Sequence, residues 1–506
     1  MIEILDTTLR DGEQTSGVAF SAPEKLSIAR KLLEEVGVDR VEVASARVSQ
    51  GEFECVSLVA GWARAAGLLD RVEVLGFVDN GASIAWIREA GCRVINLLAK
   101  GSRRHCEQQL RKTPAEHWAD VRANVLLAVG GEAPLSVNLY LEDWSNGMRD
   151  SKEYVFGMMD ALCDLPIRRF LLPDTLGILS PGQTGDYVRE MTGRYPALHF
   201  DFHAHNDYDL AVANVLAAVR AGARGVHCTV NGLGERAGNA SLSSVVAVLN
   251  DLSMERTRVR EQSINSVSRM VESYSGIACA ANAPIVGENV FTQTAGVHAD
   301  GDKKAGLYMN ALAPERFGRT REYALGKMSG KANIERNLEM LGIRLDDASM
   351  RKVTQRINEL GDKKEVVSID DLPYIISDVL HHDTPTDHVR LVSYMVTKAY
   401  SLRPVACVKM EIDGREYEET ATGDGQFDAF VRAVRHIYRN ALGRTFPWLT
   451  NYAVTIPPGG RTDALVQTAI TWTYEGKVYR TRGLDADQTE AAIKATIKML
   501  NLLEAE

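Results

Sequence analysis

The chain has 506 residues, 45% of them hydrophobic and 25% charged, with a net charge of -9. That length predicts two or three domains, and the acidic balance without any Lys/Arg block argues against nucleic acid or an anionic membrane surface as partner. No apolar run is long enough to cross a bilayer. The seven cysteines are odd in number and form no CxxC pair, which predicts reduced, mostly buried thiols and a cytoplasmic protein. The charged opening Ile2-Glu3-Ile4-Leu5-Asp6 does not read as a signal peptide.

From Met1 to about Ser253 one unit recurs: a short apolar strand, a polar loop and a helical pattern. The strands are expected at Ile2–Asp6, Arg40–Ser45, Val72–Phe77, Val94–Leu98, Leu135–Glu142, Arg169–Asp174, His199–His205 and Gly225–Val230. Helical stretches between them include Pro23–Val36, Pro114–Val129, Tyr208–Ala221 and Leu242–Leu252. Eight such units predict an α/β fold, a (β/α)8 TIM barrel over residues 1–280. The rival, a doubly wound open sheet, would place a Gly-x-Gly-x-x-Gly turn after the first strand, and none is there.

Alternate residues of a barrel strand face the helices and the interior. In the seventh strand Phe200 and Phe202 fit beneath helices, which leaves His199, Asp201, His203 and His205 inward. In the fifth, Val137, Leu139 and Leu141 go outward, and Asn138, Tyr140 and Glu142 inward. Leu75 of the third strand and Asn96 and Leu98 of the fourth also face in. The catalytic end of such a barrel is the C-terminal end of its strands, so the expected lining is Arg10, Asp11, Leu75, Asn96, Leu98, Tyr140, Glu142, Thr175, His203 and His205. Two imidazoles two residues apart on one strand face, joined by a carboxylate, make a three-ligand metal site with open positions. Imidazole and carboxylate suit Zn, Mn or Fe, and Mg is also admitted. The Gly-rich string Asn231–Asn239 follows the eighth strand, and Asn239 is a candidate further oxygen ligand.

Beyond about Ala280 the alternation stops. Residues 281–387 read as a linker region: a polar, Gly-rich loop with His298 as a candidate general base, then helical stretches near Asn333–Leu341 and Asp347–Leu360. Residues 388–506 hold an internal repeat. The run Val405–Gly414 leads through Tyr417 and Gly423 to a helix at Phe427–Arg439; the run Leu465–Trp472 leads through Tyr474, Gly476 and Gly483 to a helix at Thr489–Leu503. This predicts a small α+β domain with pseudo-twofold symmetry, suited to pairing with itself or to holding an effector.

Four strings carry a resemblance: Asp11-Gly12-Glu13-Gln14-Thr15-Ser16-Gly17, Val43-Ala44-Ser45-Ala46-Arg47-Val48-Ser49, Tyr140-Leu141-Glu142-Asp143-Trp144-Ser145-Asn146-Gly147 and His298-Ala299-Asp300-Gly301-Asp302-Lys303-Lys304. With them the chain resembles, over its whole length, the metal-dependent barrel synthases that condense acetyl-CoA with a 2-oxo acid, the isopropylmalate, homocitrate and citramalate synthases. The strings lie nearest the citramalate branch; Asn96 stands near a position where isopropylmalate synthases typically carry His. The resemblance implies that Asp11, His203 and His205 bind a divalent metal (Mn, Mg or Zn) and that Arg10 stabilises an oxyanion. It implies that Thr175 holds the substrate carboxylate and that Leu75, Leu98 and Tyr140 bound a pocket for a methyl group. Glu142 and His298 would share the proton chemistry, and Asp300 and Tyr308 would hold the coenzyme. It implies acetyl-CoA and pyruvate as substrates, citramalate as product, a homodimer, and feedback by an amino acid, isoleucine first and leucine second. Isopropylmalate synthase is the alternative, ahead of homocitrate synthase. A lyase of the same barrel superfamily fits less well, since such lyases end soon after the barrel.

Overall fold

Eight parallel strands close into a barrel in the computed structural model of the protein, in the order of the sequence. The structure describes residues 1–294, 307, 309–362, 367, 369, 372–380, 388–455, 466–485 and 487–505. The strands are β1 (Glu3–Asp6), β2 (Arg40–Ser45), β3 (Val72–Phe77), β4 (Val94–Lys100), β5 (Ser136–Glu142), β6 (Ile167–Asp174), β7 (Phe200–Ala204) and β8 (Gly225–Cys228). Closure is made by β1 on β8, with Leu5 opposite His227 and Asp6 opposite Cys228. The expected alternation of strand and helix is therefore the fold.

Three barrel helices begin with one device. Ser21, Thr113 and Ser180 each precede a Pro within two residues and a Glu or Gln three residues on. Glu24, Glu116 and Gln183 reach back to accept the cap backbone N–H at 2.8, 2.8 and 3.1 Å. Each satisfies a donor that the first helical turn leaves orphaned, while Pro gives up none.

Side-chain parity follows the period of two. Val137, Leu139, Leu141, Phe200 and Phe202 join the large apolar core between strands and helices. Leu75, Tyr140 and Leu171, with Leu98 against them, form a separate small cluster inside the barrel. Around it the interior is charged. Arg40 donates to Glu73 at 3.0 Å and to Asp201 at 2.5 Å, and Arg169 pairs with Glu3 at 2.7 Å. Buried charges persist only when paired and hydrogen-bonded, and these are.

By compactness the chain divides into two units, Met1–Thr292 with Tyr308–Glu322, and Gln293–Leu307 with Tyr323–Glu506. In the second, the helices Lys331–Met340, Asp347–Asp362 and Leu372–Leu380 gather around Ile334, Leu338, Val353, Ile357 and Leu372. A repeated α+β module follows. Each repeat has three antiparallel strands and one helix: Val389–Thr397, Val405–Ile412, Arg415–Thr422 and Gln426–His436, then Trp448–Thr455, Val466–Tyr474, Lys477–Asp485 and Gln488–Glu504. The sequence signals the second and third strand of each and misses the first. Trp448–Thr455 is an edge strand, exposed at nearly every position, so no buried face imposes the alternation that would betray it. Phe430, Val434, Trp472, Met499 and Leu500 share one core across both repeats. Asn501 of the last helix ties them, accepting from the Val389 N–H at 2.9 Å and donating to its carbonyl at 2.7 Å.

Candidate active site

The loop after β1 carries two functional side chains and is folded tightly. The Thr7 carbonyl accepts the N–H groups of Arg10, Asp11 and Gly12. Lys25, fully buried, anchors it from below: its ammonium donates to the carbonyls of Leu9 at 3.2 Å and Val43 at 3.3 Å, and pairs with Glu13 at 2.7 Å and Glu52 at 2.8 Å. Sequence reading passes over Lys25, because a lysine in an amphipathic helix ordinarily faces water.

Asp11 thereby meets the end of β7. Its Oδ2 lies 3.2 Å from Nε2 of His203 and 3.9 Å from Nε2 of His205. The three offer ligand atoms within 4.8 Å of one another, and all three residues are buried. Burial by itself would raise the Asp11 carboxyl, but Arg10, His203 and His205 outweigh it and hold it well below the usual carboxylate range. Burial pushes His203 down, and it pushes His205 down to about 4, helped by the neighbouring His203. The set is a carboxylate and two neutral imidazoles, the forms in which these residues bind metals. Asn239 is bridged to His205 through the backbone, on a loop held tight by Gly238, whose φ is +83° and whose added Cβ would fall 1.9 Å from the Gly232 carbonyl oxygen. Both Asp11 oxygens, Nδ1 of each histidine and Oδ1 of Asn239 are buried without a hydrogen-bond partner among the described residues. Leaving polar atoms buried and unpaired is costly, and a divalent cation held between the Asp11 carboxylate and the Nε2 atoms that face it would satisfy the Asp11 oxygens.

A cavity of about 220 Å³ opens on the triad, lined by Arg10, Asp11, Leu75, Leu98, Tyr140, Glu142, Thr175, His203 and His205, together with Gln14, Ser45, Phe77, Pro173 and Glu235. Thus the expected lining residues meet in one place, apart from Asn96. Asn96 is buried one layer below, donating to Glu42 at 2.7 Å. Asn239 lines a different cavity, of about 690 Å³, beside the helix Leu242–Leu252. His298, Asp300 and Tyr308 lie outside the described residues.

Partners hold the lining side chains in place, and the sequence does not announce them. Glu42, at the middle of β2, accepts from Arg10 Nε at 2.6 Å. Burial would lower the Arg10 guanidinium, but Glu42 and Asp11 reverse that and keep it charged. Glu142 is ion-paired with Lys100 from the end of β4. Thr175 Oγ1 accepts the Asp143 N–H at 3.0 Å, which leaves its own O–H free to donate. Asp174, beside it, is raised by burial despite accepting the N–H groups of Ile178 and Leu179.

Residues 1–271 match the model of the HMGL-like family. The chain belongs to that family. Residues 285–365 match the homocitrate synthase post-HMGL domain-like model, and 366–504 the LeuA allosteric (dimerisation) domain. Similar proteins run the whole length. A "probable 2-isopropylmalate synthase" of Methanopyrus kandleri is 36% identical, covering 99% of this chain and 98% of its own. An (R)-citramalate synthase of Methanocaldococcus jannaschii is 34% identical, covering 99% of each. A 2-isopropylmalate synthase of Syntrophus aciditrophicus is 32% identical, covering 99% of this chain and 96% of its own.

Proposed function

We propose that the protein is a condensing acyltransferase that joins the acetyl group of acetyl-CoA to pyruvate and releases (R)-citramalate and CoA. The observation that carries this reading is the small apolar wall of Leu75, Leu98 and Tyr140 in the same 220 Å³ cavity as Asp11, His203 and His205. We read this wall as fitted to a methyl group in preference to an isopropyl group.

Asp11, His203 and His205, with Asn239 as a further oxygen donor, are the residues that would hold a divalent metal (Mn, Mg or Zn). When bound, the metal supplies Lewis-acid polarisation of the oxo-acid carbonyl. Arg10, fixed by Glu42, presents a permanent positive charge to the oxygen on which negative charge develops. Thr175 donates its hydroxyl to the oxo-acid carboxylate. Glu142, aimed by Lys100, and His298 handle the proton taken from the acetyl methyl group and the water that cleaves the thioester. Asp300 and Tyr308 hold the coenzyme end.

The chain is read as three functional segments: catalytic residues 1–280, a linker with the active-site loop over 281–387, and a regulatory segment over 388–506. In the last, a cavity of about 610 Å³ lies at the N-termini of the helices Gln426–His436 and Gln488–Glu504, lined by Gln426, Asp428, Arg435, Asp487 and Thr489 among others. Carboxylate, guanidinium and helix N-termini together suit a zwitterionic amino acid. Isoleucine is the proposed effector, with leucine as alternative, acting on a homodimer.

Isopropylmalate synthesis is the second reading, favoured by the name of the 36% identical relative. Homocitrate synthesis stands behind it. Release of free thiol from acetyl-CoA, measured with pyruvate, 2-oxoisovalerate and 2-oxoglutarate, separates the three. Pyruvate is expected to give the highest kcat/KM, because even one methylene in an apolar pocket is worth about 1–3 kcal/mol. Preference for 2-oxoisovalerate would replace the first reading by the second.

A further inference from the structure

Beneath Tyr140 the barrel interior holds a chain of polar groups that the chemistry above does not use. The Tyr140 hydroxyl lies 3.1 Å from Nδ1 of His227. Nε2 of the same imidazole lies 3.3 Å from Oδ2 of Asp201. Asp201 is gripped in turn by Arg40 at 2.5 Å and by His199 Nε2 at 2.9 Å. Tyr140, His227, Asp201 and Arg40 come from β5, β8, β7 and β2, and none is more than 3% exposed.

The direction of these bonds follows from their donors. Asp201, facing a guanidinium, is an acceptor only, so the proton of the His227 ring sits on Nε2 and Nδ1 accepts. Tyr140 therefore donates its O–H to His227, and its oxygen is left to accept from Arg10 Nη2, 3.4 Å away. The phenol is tied on one side to the buried dyad and on the other to the guanidinium that faces the cavity. Its ring also stands edge-on to His203, with centroids 6.3 Å apart. Any rotation of the ring strands a buried hydroxyl, and an unpaired buried hydroxyl is costly. Leu75, Leu98 and Leu171, which share the ring's cluster, are apolar and offer no other acceptor.

We propose that His227, oriented by Asp201 and Arg40, is a positioning residue that locks Tyr140 in place and so sets the size of the 2-oxo-acid pocket. It acts through Tyr140 and does not touch substrate. The proposal rests on the reading that the cavity receives a 2-oxo acid.

The test is a double-mutant cycle on His227→Leu and Tyr140→Phe. The readout is the ratio of kcat/KM for pyruvate to that for 2-oxobutanoate, one methylene larger, measured on full-length, metal-loaded protein. A methylene is discriminated by about 10–200-fold in apolar pockets, so each single variant is expected to lower the ratio by about 10-fold. The double variant should lower it no further than either alone. His227→Asn, whose amide oxygen can stand near the Nδ1 position, should restore most of the selectivity. A ratio within twofold of wild type in His227→Leu, or additive losses in the double variant, would overturn the proposal. If His227→Leu does not fold, Tyr140→Phe alone decides it: the variant deletes only the hydroxyl, and an unchanged ratio rejects the lock. A wild type that releases thiol with no 2-oxo acid at all rejects the proposed function instead, before any variant is read.

Discussion

Asp11, His203 and His205 are buried together with few hydrogen bonds, and the metal site proposed on them is tested residue by residue. His203→Ala is expected to lower divalent-metal affinity by at least about 100-fold, since even outer-shell partners of ligands are worth 10–100-fold. Equilibrium dialysis measures it, and tight stoichiometric binding by the variant would refute the ligand set. A second residue-scale prediction concerns His117, which is buried and accepts the Lys100 N–H at 3.1 Å. Burial pushes it from the ordinary 6.5 down to about 4. The unfolded chain then binds a proton that the folded one refuses, so stability is full above about pH 6.5 and falls as the pH drops toward 4. That gap is worth up to about 3 kcal/mol. His117→Gln, which retains an acceptor, should flatten the acid limb of a urea-midpoint profile between pH 7 and 5. Identical profiles for the two proteins would show that His117 does not drive it.

At the scale of elements, β7 and β8 approach so closely that the start of β8 tolerates only glycine. A Cβ on Gly225 would fall 2.1 Å from Oδ1 of Asp201, and Asp201 cannot give way while Arg40 and His199 hold it. Gly225→Ala should therefore destabilise the barrel by about 1–3 kcal/mol, the usual cost of overpacking, and disturb the ion pair with Arg40 as well. A chemical-denaturation midpoint equal to wild type would mean that the interior layer is softer than its bonding suggests. The same layer explains why parity reading worked for β5 and β7. Helix-facing positions are apolar, while interior ones are polar and charged, so the period of two stands out plainly in the sequence.

For the whole molecule, the prediction is regulatory. The repeated module carries its own core and its own cavity. Removing residues 388–506 should abolish inhibition by isoleucine, assayed beside the full chain, because coupling requires an effector that distinguishes two states of the protein. Some loss of activity is expected too if the linker depends on the module for placement. Equal inhibition of both proteins would move the effector site elsewhere in the chain.

Local periodicity made eight strands, the inward sets on the third, fourth, fifth and seventh, the pairing of His203 and His205 on one strand face, and the doubled C-terminal module readable without a structure. These signals need only a few neighbouring residues, since a strand's side chains alternate whatever it pairs with. The exposed first strand of the second C-terminal repeat, Trp448–Thr455, stayed hidden because an edge facing water imposes no pattern. Closure of the barrel alone decided who holds whom: Lys25 beneath the Arg10–Asp11 loop, Glu42 on Arg10, Lys100 on Glu142, and Asp201 with His227 under Tyr140. Each of these partnerships joins residues far apart in the chain, and the energy that selects them, the cost of burying a charge or hydroxyl without a partner, exists only once the strands have enclosed them.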